Sequence, residues 1–340
     1  MTIKYSTDAH ISVADEQRRD KTMKRIVAII CVMLMLLGLT ACGSAPADDG
    51  KYTIGICQLV THDALDAATQ GFMDAVKAEL GEENVEFDLQ NAAGDSNTCA
   101  SIANAFVAAE VDLIMANATP ALQNAQAATA DIPILGTSVT EYGVALDIAD
   151  FSGTVGGNVS GTSDLAPLAD QAAMLQEWFP DAKTVGLLYC SAEPNSKYQV
   201  DTIKGLLEGM GYECKMFAFA DSNDMPAVTN AACEYSDVIY VPTDNAVASS
   251  TDIIDGICRP AGIPIIAGEE GICSGCGVAT LSISYYDLGY TTGQMAVKIL
   301  KGEADISTMK IEYAPATKKY NAEICDALGL TAPEGYAPIG

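Results

Sequence analysis

The feature that most constrains this chain is a strand–helix unit that occurs twice. From Lys51 onward, short strings rich in β-formers alternate with longer helical segments. The strings cover 52–58, 85–90, 113–116 and 132–136, then 184–189, 214–219, 238–241 and 263–268. Such alternation predicts parallel strands with helices on both faces. Tyr52-Thr53-Ile54-Gly55-Ile56 matches Lys183-Thr184-Val185-Gly186-Leu187 at an offset of 131. Asp112-Leu113-Ile114-Met115 matches Asp237-Val238-Ile239-Tyr240 at 125, and Ile132-Pro133-Ile134-Leu135 matches Ile263-Pro264-Ile265-Ile266 at 131. Three matches in one order at near-constant spacing predict two similar lobes. The expected fold class is α/β, with two doubly wound parallel-sheet lobes and a ligand cleft between them. Amphipathic stretches such as 65–80 and 199–210 supply core-facing helices.

Ligands of open parallel sheets bind beyond the carboxyl ends of the strands. In the first lobe those ends present Gln58, His62 and Asp63, then Thr119, then Thr137 and Ser138. The second lobe presents Tyr189, Glu193, Asn195 and Ser196, then Asp244 and Asn245, then Glu269. The offsets pair Thr119 with Asp244 and Ser138 with Glu269, so one lobe offers mainly neutral donors and the other carboxylates. A zwitterion needs that asymmetry. Hydroxyls and helix N-terminal amides accept a carboxylate, and an acidic side chain pairs with an ammonium. The roles expected are Asp244 for the ammonium, Thr119, Thr137 and Ser138 for the carboxylate, and His62 with Tyr189 beside the ligand side chain. Glu269 and Asn195 complete the wall. Taken singly, each of these polar residues reads more readily as a helix N-cap than as a ligand contact, so the weight lies in their convergence.

Residues 26–39 form a run of fourteen uncharged, mostly apolar residues behind Lys24 and Arg25. The run is short for a membrane span and suits a secretion signal. Leu39-Thr40-Ala41-Cys42 follows and resembles the bacterial lipobox, which implies lipidation of Cys42 and attachment to the membrane through two acyl chains. The leader is expected to end at residue 42, with Met23 the expected start of translation and 43–50 a small, polar tether. Without residues 1–42 the chain keeps 12 basic and 41 acidic residues, a net charge of −29. That field repels phosphate backbones, so nucleic acid is not an expected partner.

Several further segments carry a family resemblance: His62-Asp63-Ala64-Leu65-Asp66, Gly157-Asn158-Val159-Ser160-Gly161, Glu193-Pro194-Asn195-Ser196, Val241-Pro242-Thr243-Asp244-Asn245 and Tyr285-Tyr286-Asp287-Leu288-Gly289. Together they resemble the ABC-transporter substrate-binding lipoproteins of the tryptophan/tyrosine type. The resemblance implies the type I periplasmic-binding-protein fold and delivery of a small ligand, often an aromatic amino acid, to a membrane permease and its ATPase. It also implies a hinge of crossing strands near 160–164 and 281–285. The expected division is lobe 1 over 51–162, lobe 2 over 163–282, and a C-terminal segment, 283–340, returning to lobe 1 and the hinge. The expected location is the outer face of the cytoplasmic membrane.

Other chemistries find little material. His62 is the only histidine after the leader, no Gly-x-Ser-x-Gly elbow surrounds any serine, and no Walker-type loop is present. An enzyme is therefore not expected, nor is a cofactor. A sugar or nucleoside carrier on the same scaffold is the alternative, though Trp178 is the only indole and sits at a helix end, and a cleft enzyme using paired carboxylates such as Asp244 and Glu269 is a lesser one. Nine cysteines follow Cys42, an odd number, and Cys273-Ser274-Gly275-Cys276 has the spacing of either a local disulfide or free thiols; a metal site is disfavoured because no histidine accompanies it.

Overall fold

The computed structural model describes residues 50–339; the leader, Cys42 and nearly all of the expected tether lie outside them. The first sheet contains β1 (Tyr52–Gln58), β2 (Val85–Asn91), β3 (Leu113–Asn117), β4 (Ile134–Val139), β5 (Val159–Ser163) and β11 (Glu312–Tyr313). Its order is β11-β5-β4-β3-β1-β2, parallel throughout. The second sheet contains β6 (Thr184–Cys190), β7 (Glu213–Phe219), β8 (Val238–Val241), β9 (Ile265–Ala267), β10 (Ala279–Ser282), β12 (Thr317–Tyr320) and β13 (Ala337–Pro338). Here the order is β13-β12-β10-β9-β8-β6-β7, with β12 antiparallel to β10.

The repeat seen in the sequence persists to single hydrogen bonds. Asp112, just before β3, accepts the Thr53 amide at 2.7 Å. Its counterpart Asp237, just before β8, accepts the amides of Lys183 at 2.7 Å and Thr184 at 2.9 Å. Each aspartate thus pins the start of the neighbouring central strand. Beyond it, the strands alternate in the manner of a doubly covered sheet. Ile54 and Ile56 pack with Phe72 and Met295 on one face, while Cys57 packs with Phe106 and Leu122 on the other. In the second lobe Val185, Leu187 and Tyr189 face one layer, Leu188 and Cys190 the opposite one.

The helices filling those layers are α1 (Asp63–Leu80), α2 (Ser96–Ala108), α3 (Thr119–Ala128) and α4 (Tyr142–Ala145), then α5 (Leu168–Trp178), α6 (Pro194–Gly209), α7 (Met225–Tyr235), α8 (Asn245–Ala248), α9 (Thr251–Ala261) and α10 (Glu270–Cys276), and finally α11 (Tyr285–Leu300) and α12 (Ala322–Leu328). The chain passes between the sheets three times: after β5, after β10, and between β11 and β12. After the second passage α11 lies against α1 so closely that a Cβ on Gly289 would stand 1.9 Å from the Ala68 carbonyl oxygen, and one on Gly71 would stand 2.1 Å from that of Tyr286. Two absent side chains set the approach of these helices. Segment 283–340 does not stay with the first lobe, however. From Thr317 it joins the second sheet, because Ile324 and Cys325 of α12 bury in the core around Leu175 and Trp178.

Strand β5 lacks an apolar run, yet all five residues are buried. Its hydroxyls are satisfied inside the protein: Thr162 Oγ1 lies 3.2 Å from Thr137 Oγ1 and 2.8 Å from Thr292 Oγ1, and Ser163 Oγ donates to the Thr140 carbonyl at 2.8 Å. A buried polar strand of this kind is stable only with such pairing.

Candidate functional site

Strand ends of both sheets and two of the passages converge on a small cleft. The first lobe supplies His62 and Leu65 at the start of α1 and Ser138 and Thr140 at the end of β4. Asn195, Thr243, Asp244, Asn245, Ala248 and Glu269 come from the second, while Asp164 and Tyr285 stand at the passages.

Ser138 reaches the cleft through a distorted backbone. The register of β4 against β5 shifts between Gly136 and Val139, and Ser138 has φ +53°. A bulge re-aims a side chain, and left-handed conformations at residues other than glycine concentrate where function demands them. Its Oγ is buried without a hydrogen-bond partner.

Three cleft carboxylates are almost wholly buried: Asp164 is 4% exposed, Asp244 1% and Glu269 3%. Asp244 caps α8, Oδ1 accepting the Val247 amide at 3.0 Å, and Oδ2 accepts the Cys190 amide at 2.7 Å. Glu269 caps α10 through the amides of Gly271 and Ile272, at 2.6 and 2.5 Å. Asp164 accepts the Tyr285 hydroxyl on Oδ2 at 3.0 Å, and its Oδ1 has no partner. Burial pushes Asp164 up to about 6 and Glu269 up to about 7, and raises Asp244 as well. Among the described residues no lysine or arginine offsets these charges. A cation brought by a ligand would do so, and of the three only Asp164 has an oxygen free to meet it.

The remaining expected residues stand behind the cleft. Gln58 is spent on α1, donating to Asp66 Oδ1 at 2.6 Å and accepting from Thr69 Oγ1 at 2.7 Å. Thr137 belongs to the hydroxyl ladder of β5, and Thr119 is buried at the start of α3 outside the cleft lining. Tyr189 was expected beside the ligand, but alternation along β6 sends it with Val185 and Leu187 into the core of the second lobe. Ser196 is wholly buried, with Oγ 3.5 Å from the Thr243 carbonyl oxygen. Glu193 is a bracket: Oε2 accepts the Asn245 amide at 3.0 Å and Asn245 Nδ2 at 2.7 Å, and Oε1 accepts the Ala246 amide at 2.9 Å.

That bracket fixes the orientation of the Asn245 amide. Its Oδ1 is left to face His62 Nε2 at 3.3 Å, across the cleft. Since Nδ2 already donates to Glu193, Oδ1 is the acceptor and the imidazole carries its proton on Nε2. Burial lowers the His62 pKa and keeps the ring neutral. The residues that strand-end reasoning did not select are Thr140, Asp164, Thr243 and Tyr285. Asp164 follows β5, a strand with no apolar signature, so only the hinge crossing implied near 160–164 pointed to its position.

Residues 53–335 match the profile of the ABC transporter substrate binding protein family. A curated relative, the tyrosine-binding protein of Clostridioides difficile, is 37% identical over 297 residues, 84% of this chain and 86% of that one. Among solved structures, an ABC domain from Streptococcus pneumonia in complex with L-Trp superposes with a TM-score of 0.80 at 31% identity, over 85% of this chain and all of that one. A ligand-free, open substrate-binding protein with adhesive properties from Clostridium difficile is closer in sequence, at 39% identity, with 85% of this chain and 99% of that one covered, yet superposes less well, at 0.66.

Proposed function

The chain belongs to the ABC transporter substrate-binding proteins, non-enzymatic carriers of the type I periplasmic-binding fold, and we propose that the ligand it carries is an aromatic amino acid. The observation that carries this reading is Asp164 Oδ1, a buried and unpartnered carboxylate oxygen at the cleft with no protein cation beside it. An α-ammonium is the group that complements it. Asp164 takes the ammonium role in place of Asp244, both of whose oxygens hold backbone amides. Ser138 Oγ and Thr140 at the end of β4 serve the ligand carboxylate. His62, Leu65 and Tyr285 supply the surface for the side chain, in line with what the tyrosine-binding and L-Trp-bound relatives hold.

Asn195, Asn245 and Glu269 complete the wall, with Glu193 holding Asn245 in place. Cys42 is the lipidation site that anchors the carrier to the outer face of the cytoplasmic membrane, and the partners are an ABC permease and its ATPase. A sugar carrier is disfavoured, because Trp178 packs edge-on against Tyr336 at 5.3 Å in the second lobe and offers no stacking platform in the cleft. A thermal-shift series with amino acids, sugars and nucleosides tests the reading. Stabilisation by L-tryptophan, L-tyrosine or L-phenylalanine is expected; stabilisation by a sugar or nucleoside alone would refute it.

A further inference from the structure

Cys233 on α7 and Cys258 on α9 bring their Sγ atoms to 3.3 Å. Both helices cover the same face of the second sheet, where Ala232, Ile254 and Cys258 belong to one buried cluster and Cys233 packs at its edge. Among the described residues no other thiol contact joins this proximity to access. Cys273 and Cys276 lie one turn apart on α10, but their Sγ atoms turn to different carbonyls, those of Gly277 and Ile272. Cys57 and Cys99 share the core of the first lobe, yet they are 1% and 0% exposed and closed to reagents. Cys233 alone of the second-lobe pair is part-exposed, and Cys258 lies directly behind it.

We propose that Cys233 and Cys258 form a redox-responsive disulfide site that staples α7 to α9 when the protein meets a small-molecule disulfide. The Cys233 thiolate attacks one sulfur of the external disulfide, forming a mixed disulfide and releasing one thiolate of the reagent. Cys258, giving up its proton to that thiolate, then attacks Cys233 Sγ and expels the second. One protein disulfide and two reagent thiols result, so the two electrons lost by the cysteines reduce the reagent. Cys233 is the part-exposed thiol of the pair and Cys258 is buried, which makes Cys233 the attacking sulfur. Proteins of this family work outside the cytoplasm, where disulfides persist. The bridge closes a loop within the second lobe alone and leaves lobe closure free.

The test is to incubate the purified chain with oxidised glutathione, with a dithiothreitol-reduced sample alongside, then to denature, alkylate, digest and map the peptides. The expected result is a Cys233–Cys258 linked peptide with Cys57, Cys99, Cys273 and Cys276 alkylated. The oxidised protein should melt several degrees above the reduced one, and Cys233→Ser or Cys233→Ala should show neither link nor gain. Full alkylation of both thiols, a glutathione adduct that stays on Cys233, linkage spread among the other cysteines, or an unchanged melting midpoint would each overturn the proposal.

Discussion

His62 Nε2 and Asn245 Oδ1, 183 residues apart in the chain, meet at 3.3 Å and join the two lobes across the cleft. Asn245 is held from behind by Glu193, so the bond acts as a strut that exists only when the lobes stand close. His62→Ala is therefore expected to weaken ligand binding by about fivefold, the worth of one hydrogen bond near 1 kcal/mol. The melting midpoint of the ligand-free protein should hardly change. Isothermal titration with small-angle scattering checks this: an unaltered affinity, or a wild-type scattering profile in the ligand-bound variant together with unaltered affinity, would show that the contact does not stabilise closure.

Asp164→Asn keeps the size of the side chain and removes its charge. Losing one partner of a buried charge pair costs about 2–5 kcal/mol, so affinity for the amino acid should fall at least roughly thirtyfold. Ligand-free stability at neutral pH should stay level or rise, because an uncompensated buried carboxylate is gone. The deaminated analogue of the same amino acid should bind the wild type weakly and the variant no worse. Asp244→Ala should behave oppositely in the ligand-free protein. It uncaps α8 and strands the Cys190 amide, and should cost about 0.5–2 kcal/mol of stability.

The same carboxylates set a pH response of two signs. Asp164 and Glu269 have folded-state pKa values of about 6 and 7, above the unfolded range near 4. In the ligand-free protein their contribution to stability is fully present below about pH 4 and is lost as pH rises through 6 and 7. Ligand binding runs the other way, since an ammonium pairs with the ionised carboxylate. Affinity measured by titration calorimetry should be about tenfold weaker at pH 5 than at pH 7.5, and Asp164→Asn should flatten the profile. A wild-type affinity independent of pH over this range would contradict the assignment.

How far the sequence reaches is visible in single elements. Strands 52–58 and 238–241 have the bounds expected from their β-branched, apolar strings, and the paired aspartates Asp112 and Asp237 mark the repeat in both sequence and structure. Strand β5 was legible only through the family resemblance, as a hinge crossing near 160–164, because Ser160, Thr162 and Ser163 are buried with their hydroxyls bonded to neighbouring groups, which no hydropathy pattern reports. The late return to the second sheet escaped because β11 and β13 are two residues long and β12 only four. Within the cleft, Asp244 and Glu269 were readable as strand-end carboxylates, but whether their oxygens were already occupied depends on the amides of Cys190, Gly271 and Ile272. That is a three-dimensional fact. Tyr189 shows the complementary failure: one residue of alternation decides whether a strand-end ring meets ligand or core.

The seam between α1 and α11 yields a prediction whose sign separates two effects. Helix propensity alone says that replacing an interior glycine by alanine stabilises, by about 0.5–1 kcal/mol. Gly205, exposed on α6 with nothing within 4 Å of an added Cβ, should follow that rule. Gly289 should not. Its Cβ would fall 1.9 Å from the Ala68 carbonyl oxygen, a backbone atom that moves only if α11 lifts from α1, and overpacking of this kind costs about 1–3 kcal/mol. Because α11 immediately follows the passage that carries Tyr285, lifting it also shifts the hydroxyl that holds Asp164. Gly289→Ala is expected to lower both the melting midpoint and the ligand affinity, while Gly205→Ala raises the midpoint and leaves affinity alone. Thermal denaturation and titration of the two variants side by side provide the check, and a stabilised Gly289→Ala would mean that the seam is looser than the geometry requires.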